Sequence, residues 1–423
     1  MRIKDIGWNV IGLSLPLLIA VVTIPSLVNN LGAERFGLLA LAWGLIGYAG
    51  ALDLGIGRAV TQMISSAIGK QQLSEVIPIF RTGAKLSTIT GLIASGVLIA
   101  ITLAGATKLI KTEYTPSSEI FYSMLIMALA MPAQAISATY KGVCEAQQQF
   151  KAINILRIFL GVVNFAGPFA VSFFTTNLTA LVGTLVFSRL IALYIYKIIA
   201  NSSMKQYAYY NNCFFCRSTA RRIFKFGGWV TVSSILSPIM TQADRFVIAA
   251  VISASAVSVY VLPYEIVVQT LILVGAISTV AFPTLSKLIS EHPNNWRPYF
   301  KKWTFITAIV MLFVQGVVFL SLPYILPIWL GDNFDERSVF IGQVLCIGVF
   351  ANSVGSMYYA LLHAKSRADI TAKIHLIELP VFLSALWFLC HEFGLFGAAY
   401  AWSGRMMLDL LLLYLSNHKL FIE

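Results

Sequence analysis

The chain has 423 residues, of which 58% are hydrophobic and 11% charged, and 30 Lys and Arg against 18 Asp and Glu give a formal net charge of +12. A soluble domain is about 45–50% apolar and about 25% charged, and no water-soluble core could hide this much apolar side chain. These figures exclude a soluble enzyme, a soluble nucleic-acid binder and a disordered scaffold, and they make the lipid bilayer the solvent.

In chain order, twelve apolar stretches fall at 9–29, 36–57, 83–105, 119–140, 153–174, 178–199, 225–250, 256–283, 303–325, 338–361, 373–391 and 395–416. Each is close to the roughly 20 residues a helix needs to cross a hydrocarbon core about 30 Å thick. Turn-forming breaks separate them, such as Asn29-Asn30-Leu31-Gly32 and Gly331-Asp332-Asn333. Arg2 and Lys4 ahead of the first run imitate a secretory signal, but no small-residue cleavage site follows, so the run reads as an uncleaved first helix. Alternating patterns of a membrane β-barrel are absent. The expected fold is all-α: a polytopic membrane protein of twelve transmembrane helices in two six-helix bundles. Residues 1–200 form the first bundle, 201–224 a basic linker and 225–423 the second.

Orientation follows from the loops. With the N-terminus placed in the cytoplasm, 22 Lys and Arg fall in cytoplasmic segments and 4 (Arg35, Lys108, Lys111, Arg337) in external ones. That asymmetry puts both termini in the cytoplasm. It also accounts for the basic excess without nucleic acid, because the cationic loops face anionic inner-leaflet lipids.

The halves are weakly repeated. Gly7-Trp8 leading to Ser14 and Pro16 parallels Gly228-Trp229 leading to Ser234 and Pro238, and the stretch from Leu31 to Gly37 parallels that from Ile252 to Ser258. An even number of helices per half relates the two by an axis along the membrane normal, with substrate near the midplane. That is transporter architecture.

Apart from charges at the stretch ends that are assigned to the loops, nine ionisable residues read as embedded: Asp53, Arg58, Arg189, Asp244, Arg245, Glu265, Glu378, Arg405 and Asp409. Each costs about 2.5–3.5 kcal/mol on insertion scales, so they should line a wet cavity or pair with one another. In Asp53-Leu-Gly-Ile-Gly-Arg58, at the inner end of the second span, Arg58 either offers its planar fork to a diphosphate or reaches out to lipid headgroups with Asp53 as partner. Asp244 and Arg245 lie deep in the seventh span, with Glu265 at similar depth in the eighth and able to neutralise Arg245. Arg405 and Asp409, at i and i+4, predict an ion pair on one helix face. Glu378, before Pro380, is a lone carboxylate suited to carrying a proton, and Arg189 is an isolated cation. The five His show no metal-ligand spacing, and Cys213-Phe-Phe-Cys216 lacks a second ligand pair, so no metal site is expected. No phosphate-binding loop is present. The chain therefore reads as a transporter and not an enzyme, without cofactor, driven by an ion gradient (H+ or Na+), the membrane potential or consumption of substrate on the far side.

The stretch Phe226-Gly-Gly-Trp229, then Asp244-Arg245-Phe246, Tyr260, Pro263-Tyr-Glu265 and Phe282-Pro283-Thr-Leu-Ser286, resembles the Wzx-type O-antigen flippases, the polysaccharide-transport branch of the MOP (MATE-like) exporters. Leu31-Gly-Ala-Glu-Arg-Phe-Gly37 and the run from Asp53 to Arg58 fit the same family's opening spans. The resemblance implies a V-shaped bundle that flips an undecaprenyl-diphosphate-linked oligosaccharide by alternating access across the bacterial inner membrane. It also implies that Arg58 and Arg245 hold the headgroup with Asp53, Asp244 and Glu265 as partners; Arg189 is a further candidate ligand and Glu378 a further coupling carboxylate. A polysaccharide polymerase and a chain-length regulator are the expected protein partners. The competing readings are a cation-coupled multidrug exporter of the same fold, a non-transporting scaffold of a polysaccharide-assembly complex, and a flippase for a capsule, exopolysaccharide, teichoic-type or peptidoglycan precursor. Four embedded cations beside five acids suit an anionic headgroup better than an acid-lined drug site.

Overall fold

A computed structural model describes residues 3–49, 54–147, 149–207, 215–275, 277, 285, 288–289, 296–365 and 367–422. Among them there is no strand. The helices are α1 (Ile3–Ala49), α2 (Ile56–Gly69), α3 (Val76–Leu103), α4 (Ser117–Ala146), α5 (Phe150–Ser172), α6 (Leu178–Met204), α7 (Arg217–Val251), α8 (Ala254–Gln269), α9 (Trp296–Leu330), α10 (Arg337–Ala364) and α11 (Ala368–Ile422). Eight helical stretches are long and apolar enough to cross a membrane. Side chains that water would exclude stand fully outward, Phe174 at 90% and Ile328 at 85% exposure, as a lipid-facing surface requires.

Two of the helices each carry two of the expected spans. α1 turns at Gly32 (φ 74°) and α11 at Gly394 (φ 56°), left-handed backbone that a residue with a Cβ adopts only under strain. The motif around Gly32 is built for that turn. Glu34 accepts the backbone N–H groups of Glu113 and Thr115 at 2.7 Å each, and Arg35 pairs with Glu119 at 3.1 Å. Glu119 also accepts the N–H of Leu178 at 3.0 Å, so one carboxylate ties the starts of α4 and α6 to α1. In the second half the parallel stretch makes the α7–α8 joint, where Ser253 caps α8 through the N–H of Ala256 at 3.1 Å.

One expected span is not continuous. The stretch 36–57 reads as a single helix, but beyond residues 50–53, which lie outside the described residues, Leu54 and Gly55 form a turn and α2 starts afresh at Ile56. Leu54 (φ 52°) and Gly55 (φ 69°) are both left-handed, and no i to i−4 ladder runs through two such residues. α2 then packs on α3 and α4 through small residues: a Cβ on Gly142 would lie 2.5 Å from the carbonyl oxygen of Gly57. Buried Ser87 and Thr139 hydrogen-bond across α3 and α4 at 2.5 Å.

The chain divides into two compact units, Met1–Ile239 and Met240–Glu423, and the line between them falls within α7. The first unit's core gathers Ile56, Val60, Ile64, Ile79, Val143 and Tyr196 from four helices. In the second unit α10 packs along α11, with Gly348 of α10 set against Trp402 and Ser403 and Tyr264 of α8 edge-on to Trp402 at 5.6 Å.

Candidate functional site

The second unit holds a chain of charged groups inside its helices. Asp244 of α7 is 1% exposed; it accepts from the Tyr260 hydroxyl at 2.8 Å and from the backbone N–H of Arg245 at 2.8 Å. Arg245 is equally shielded, donating from Nη2 to Glu265 Oε1 at 2.8 Å with its guanidinium over the Tyr264 ring at 5.2 Å. Neighbouring positions on a helix point about 100° apart, so Asp244 and Arg245 find separate partners, and both partners come from α8. The spacing of Tyr260, Tyr264 and Glu265 puts two hydroxyphenyl rings and one carboxylate on the α8 face toward α7. Charges held this far from water persist only with such partners, yet Arg245 Nε has none among the described residues.

A second group lies where the two arms of α11 meet. The expected ion pair between Arg405 and Asp409 is not formed. Arg405 instead donates from Nη1 to the carbonyl oxygen of Met240 at 2.6 Å and lies over the Phe382 ring at 5.3 Å. The reason is geometric: the last turns of α7 offer a carbonyl nearer to its fork, and Asp409 faces Glu378 on the other arm. Glu378 is fully buried at 0% exposure, and neither of its oxygens has a hydrogen-bond partner among the described residues; nor does Asp409 Oδ1. His375, one turn before Glu378, joins them, and one ligand atom from each of His375, Glu378 and Asp409 lies within 4.8 Å of the others. Histidine spacing alone had pointed to no such cluster, because its third member comes from beyond Gly394.

In the first unit the embedded cations are less satisfied. Arg189 sits near the middle of α6, with Nη2 only 3.4 Å from Asn164 Oδ1 of α5 and a shielded Nε without a partner among the described residues. Asn164 is held by Trp43 of α1, whose indole N–H donates to the Asn164 carbonyl oxygen at 3.0 Å while its ring packs on Phe165 at 5.1 Å. Arg58 stands in the first turn of α2 rather than at the inner end of a continuous second span, and its side chain is exposed. Asp53, its expected partner, lies outside the described residues.

The structure thus brings Asp244, Arg245 and Glu265 together, joins Glu378 to Asp409 and His375, and keeps Arg189 with Asn164 apart from any acid among the described residues. Asn164 and His375 were given no role from sequence, and Tyr260 and Tyr264 entered only as part of the family motif. The signal for His375 was present in its spacing of three from Glu378, which places both on one helix face.

A family described as polysaccharide biosynthesis protein matches residues 3–289. The chain is 30% identical over 414 residues to a Shigella flexneri protein named for O-antigen transport, covering 97% of this chain and 96% of that one. It is 21% identical over 388 residues to the lipopolysaccharide biosynthesis protein WzxC of Escherichia coli, covering 91% and 74%. Among solved structures, an inward-facing multidrug resistance MATE family transporter of the MOP superfamily matches with a TM-score of 0.79 over 97% of both chains, at 12% identity. At that identity the likeness establishes the fold and nothing about cargo.

Proposed function

Because the chain belongs to the polysaccharide biosynthesis protein family, among the Wzx-type flippases, we propose that it moves an undecaprenyl-diphosphate-linked O-antigen repeat unit from the cytoplasmic to the periplasmic leaflet of the bacterial inner membrane by alternating access. The observation that carries this reading is the end-to-end similarity to a relative named for O-antigen transport. Physical chemistry supports it. A diphosphate bearing sugars cannot enter hydrocarbon without replacement partners for its lost water, and planar guanidinium forks are the side chains best shaped to supply them. Arg189 and Arg58 keep donors uncommitted to any acid among the described residues, and Arg245 keeps an unpartnered Nε. In this reading those three bind the headgroup, while Asp53, Asp244 and Glu265 balance their charge. Glu378 couples transport to a gradient of H+ or Na+, and polymerase and chain-length regulator receive the product. Deleting the chain from its own host should abolish surface polysaccharide and leave lipid-linked oligosaccharide on the inner leaflet, with a plasmid copy restoring both. Normal surface polysaccharide together with new drug sensitivity would transfer the chain to the drug-exporter reading.

Orientation has a separate test. Cys216, immediately before α7, lies with Sγ 2.9 Å from the Ser218 hydroxyl, and hydrogen bonding of this kind brings its thiol down from the usual range to about 7. About half is then thiolate, the reactive form, at neutral pH, whereas an ordinary thiol near 8.5 is only a few per cent ionised. Cys144, Cys346 and Cys390 are buried. In a C213S background, a membrane-impermeant maleimide should label Cys216 in inverted vesicles and not in intact cells, with a rate that falls as the pH drops below about 7. Labelling of intact cells alone would reverse the assigned topology.

A further inference from the structure

The second unit contains a cavity of about 420 Å³ lined by Leu271, Val274, Asn352, Ser356, Tyr359 and His363. Its polar wall is a single stripe of α10: Asn352, Ser356, Tyr359 and His363 stand at i, i+4, i+7 and i+11, one face of a helix whose other positions are mostly apolar. α11 carries a matching stripe, Thr371, His375 and Glu378, at i, i+4 and i+7. The stripes meet at two points. Thr371 Oγ1 lies 3.4 Å from His363 Nε2, and the Tyr359 ring is stacked with the His363 ring at 4.2 Å and with the His375 ring at 6.4 Å. At the far end of the second stripe is the carboxylate pair Glu378 and Asp409, with both Glu378 oxygens and Asp409 Oδ1 unpartnered among the described residues and Glu378 wholly buried. Asp409 leans on α10 where that helix has no side chain: a Cβ on Gly355 would lie 3.9 Å from Asp409 Oδ2.

We infer that Glu378 and Asp409 load a single proton, and that His375 hands it to them from the cavity walled by Asn352, Ser356, Tyr359 and His363. This deepens the ion-coupled transporter reading and rests on it. Two carboxylates packed together away from water need a cation between them. The charges that face the pair set how much. Arg405 from the second arm of α11 is near both acids and His375, Asp244 of α7 and Tyr264 of α8 act on Arg405, and His363 of α10 faces His375. Two carboxylates beside one guanidinium leave one negative charge, which a monovalent ion balances and a divalent one exceeds. The third ligand atom is an imidazole nitrogen, which hard metal cations pass over for oxygen and which can take up a proton at one ring nitrogen and pass one on. In the transfer, a hydronium ion in the cavity gives its proton to the neutral His375 ring and becomes water. The resulting imidazolium then gives one proton to a carboxylate oxygen of Glu378, leaving a neutral ring, a carboxylic acid and the Asp409 carboxylate.

Infrared spectroscopy of the purified, cargo-free protein tests this. Wild-type protein should show the carbonyl stretch of a protonated carboxylic acid at about pH 7, and E378Q and D409N should each lose it. H375Q should keep the band but exchange its proton for deuterium about a hundredfold more slowly in heavy water. If E378Q fails to fold, D409N reads the same band. Absence of the band in wild-type protein, its survival in both acid variants, or an unchanged exchange rate in H375Q overturns the inference. Loss of the band on replacing potassium by sodium at constant pH also overturns it, giving the site to sodium. Because no cargo is present, any of these results leaves the flippase assignment to its own test of surface polysaccharide.

Discussion

Replacing Glu265 with alanine is expected to destabilise the second unit by about 3 kcal/mol, while replacing Arg245 with methionine costs clearly less. The asymmetry comes from where the two ends of the ion pair sit. The Arg245 side chain is 4% exposed and that of Glu265 is 34% exposed, at a separation of 2.8 Å. Removing Glu265 strands a shielded guanidinium, with Nε already unpartnered among the described residues and only Asp244 and the Tyr264 face left beside it. Removing Arg245 leaves a carboxylate that water still touches. The double variant R245M/E265L should recover most of the loss, because an apolar pair of similar volume forfeits no solvation. Thermal unfolding of the purified protein in one detergent reads all three. Equal losses for the two single variants, or a double variant no better than E265A, would show that the pair is not energetically coupled.

This pair was legible in the sequence because both residues lie at similar depth in consecutive spans. Much of the remaining network was not, and the reasons are local. Apolar runs locate helices well, since a span is a matter of length, and each of the twelve runs overlaps helix among the described residues. They do not locate a break whose cause is backbone angle: the glycines between Asp53 and Arg58 permitted an irregular helix there, but not the placing of Arg58 at the start of its own helix after left-handed Leu54 and Gly55. Partners within one helix are also poorly legible when another element competes. Arg405 and Asp409 had the right spacing, but Gly394 sends the second arm of α11 back so that Asp409 meets Glu378, while α7 offers Arg405 the Met240 carbonyl. His375 went unread for the same reason: its cluster closes only across that turn. The motif around Gly32 shows the converse. Its Glu34 and Arg35 looked like a family signature, and the structure gives them a mechanical task, holding the turn of α1 against the starts of α4 and α6.

Arg189 offers the sharpest separation of function from folding, because the two should move in opposite directions. The residue sits 11 positions into the 27-residue α6, roughly 16 Å from its start at 1.5 Å per residue, and so near mid-bilayer. A cation there costs about 2.5–3.5 kcal/mol on insertion scales. The compensation visible in the structure is slight: one 3.4 Å contact to Asn164 Oδ1 and an unpartnered Nε. A residue kept for stability would have an acid beside it, as Arg245 has Glu265. R189L should therefore raise the unfolding temperature of the purified protein, or leave it unchanged, while abolishing surface polysaccharide in the host, the trade expected where a site is held in a costly state for its cargo. R189K, which keeps the charge but loses the bidentate fork, should retain the fold and only part of the activity. Destabilised R189L protein would mark Arg189 as a structural residue, and full polysaccharide from a stable R189L strain would remove it from the headgroup site.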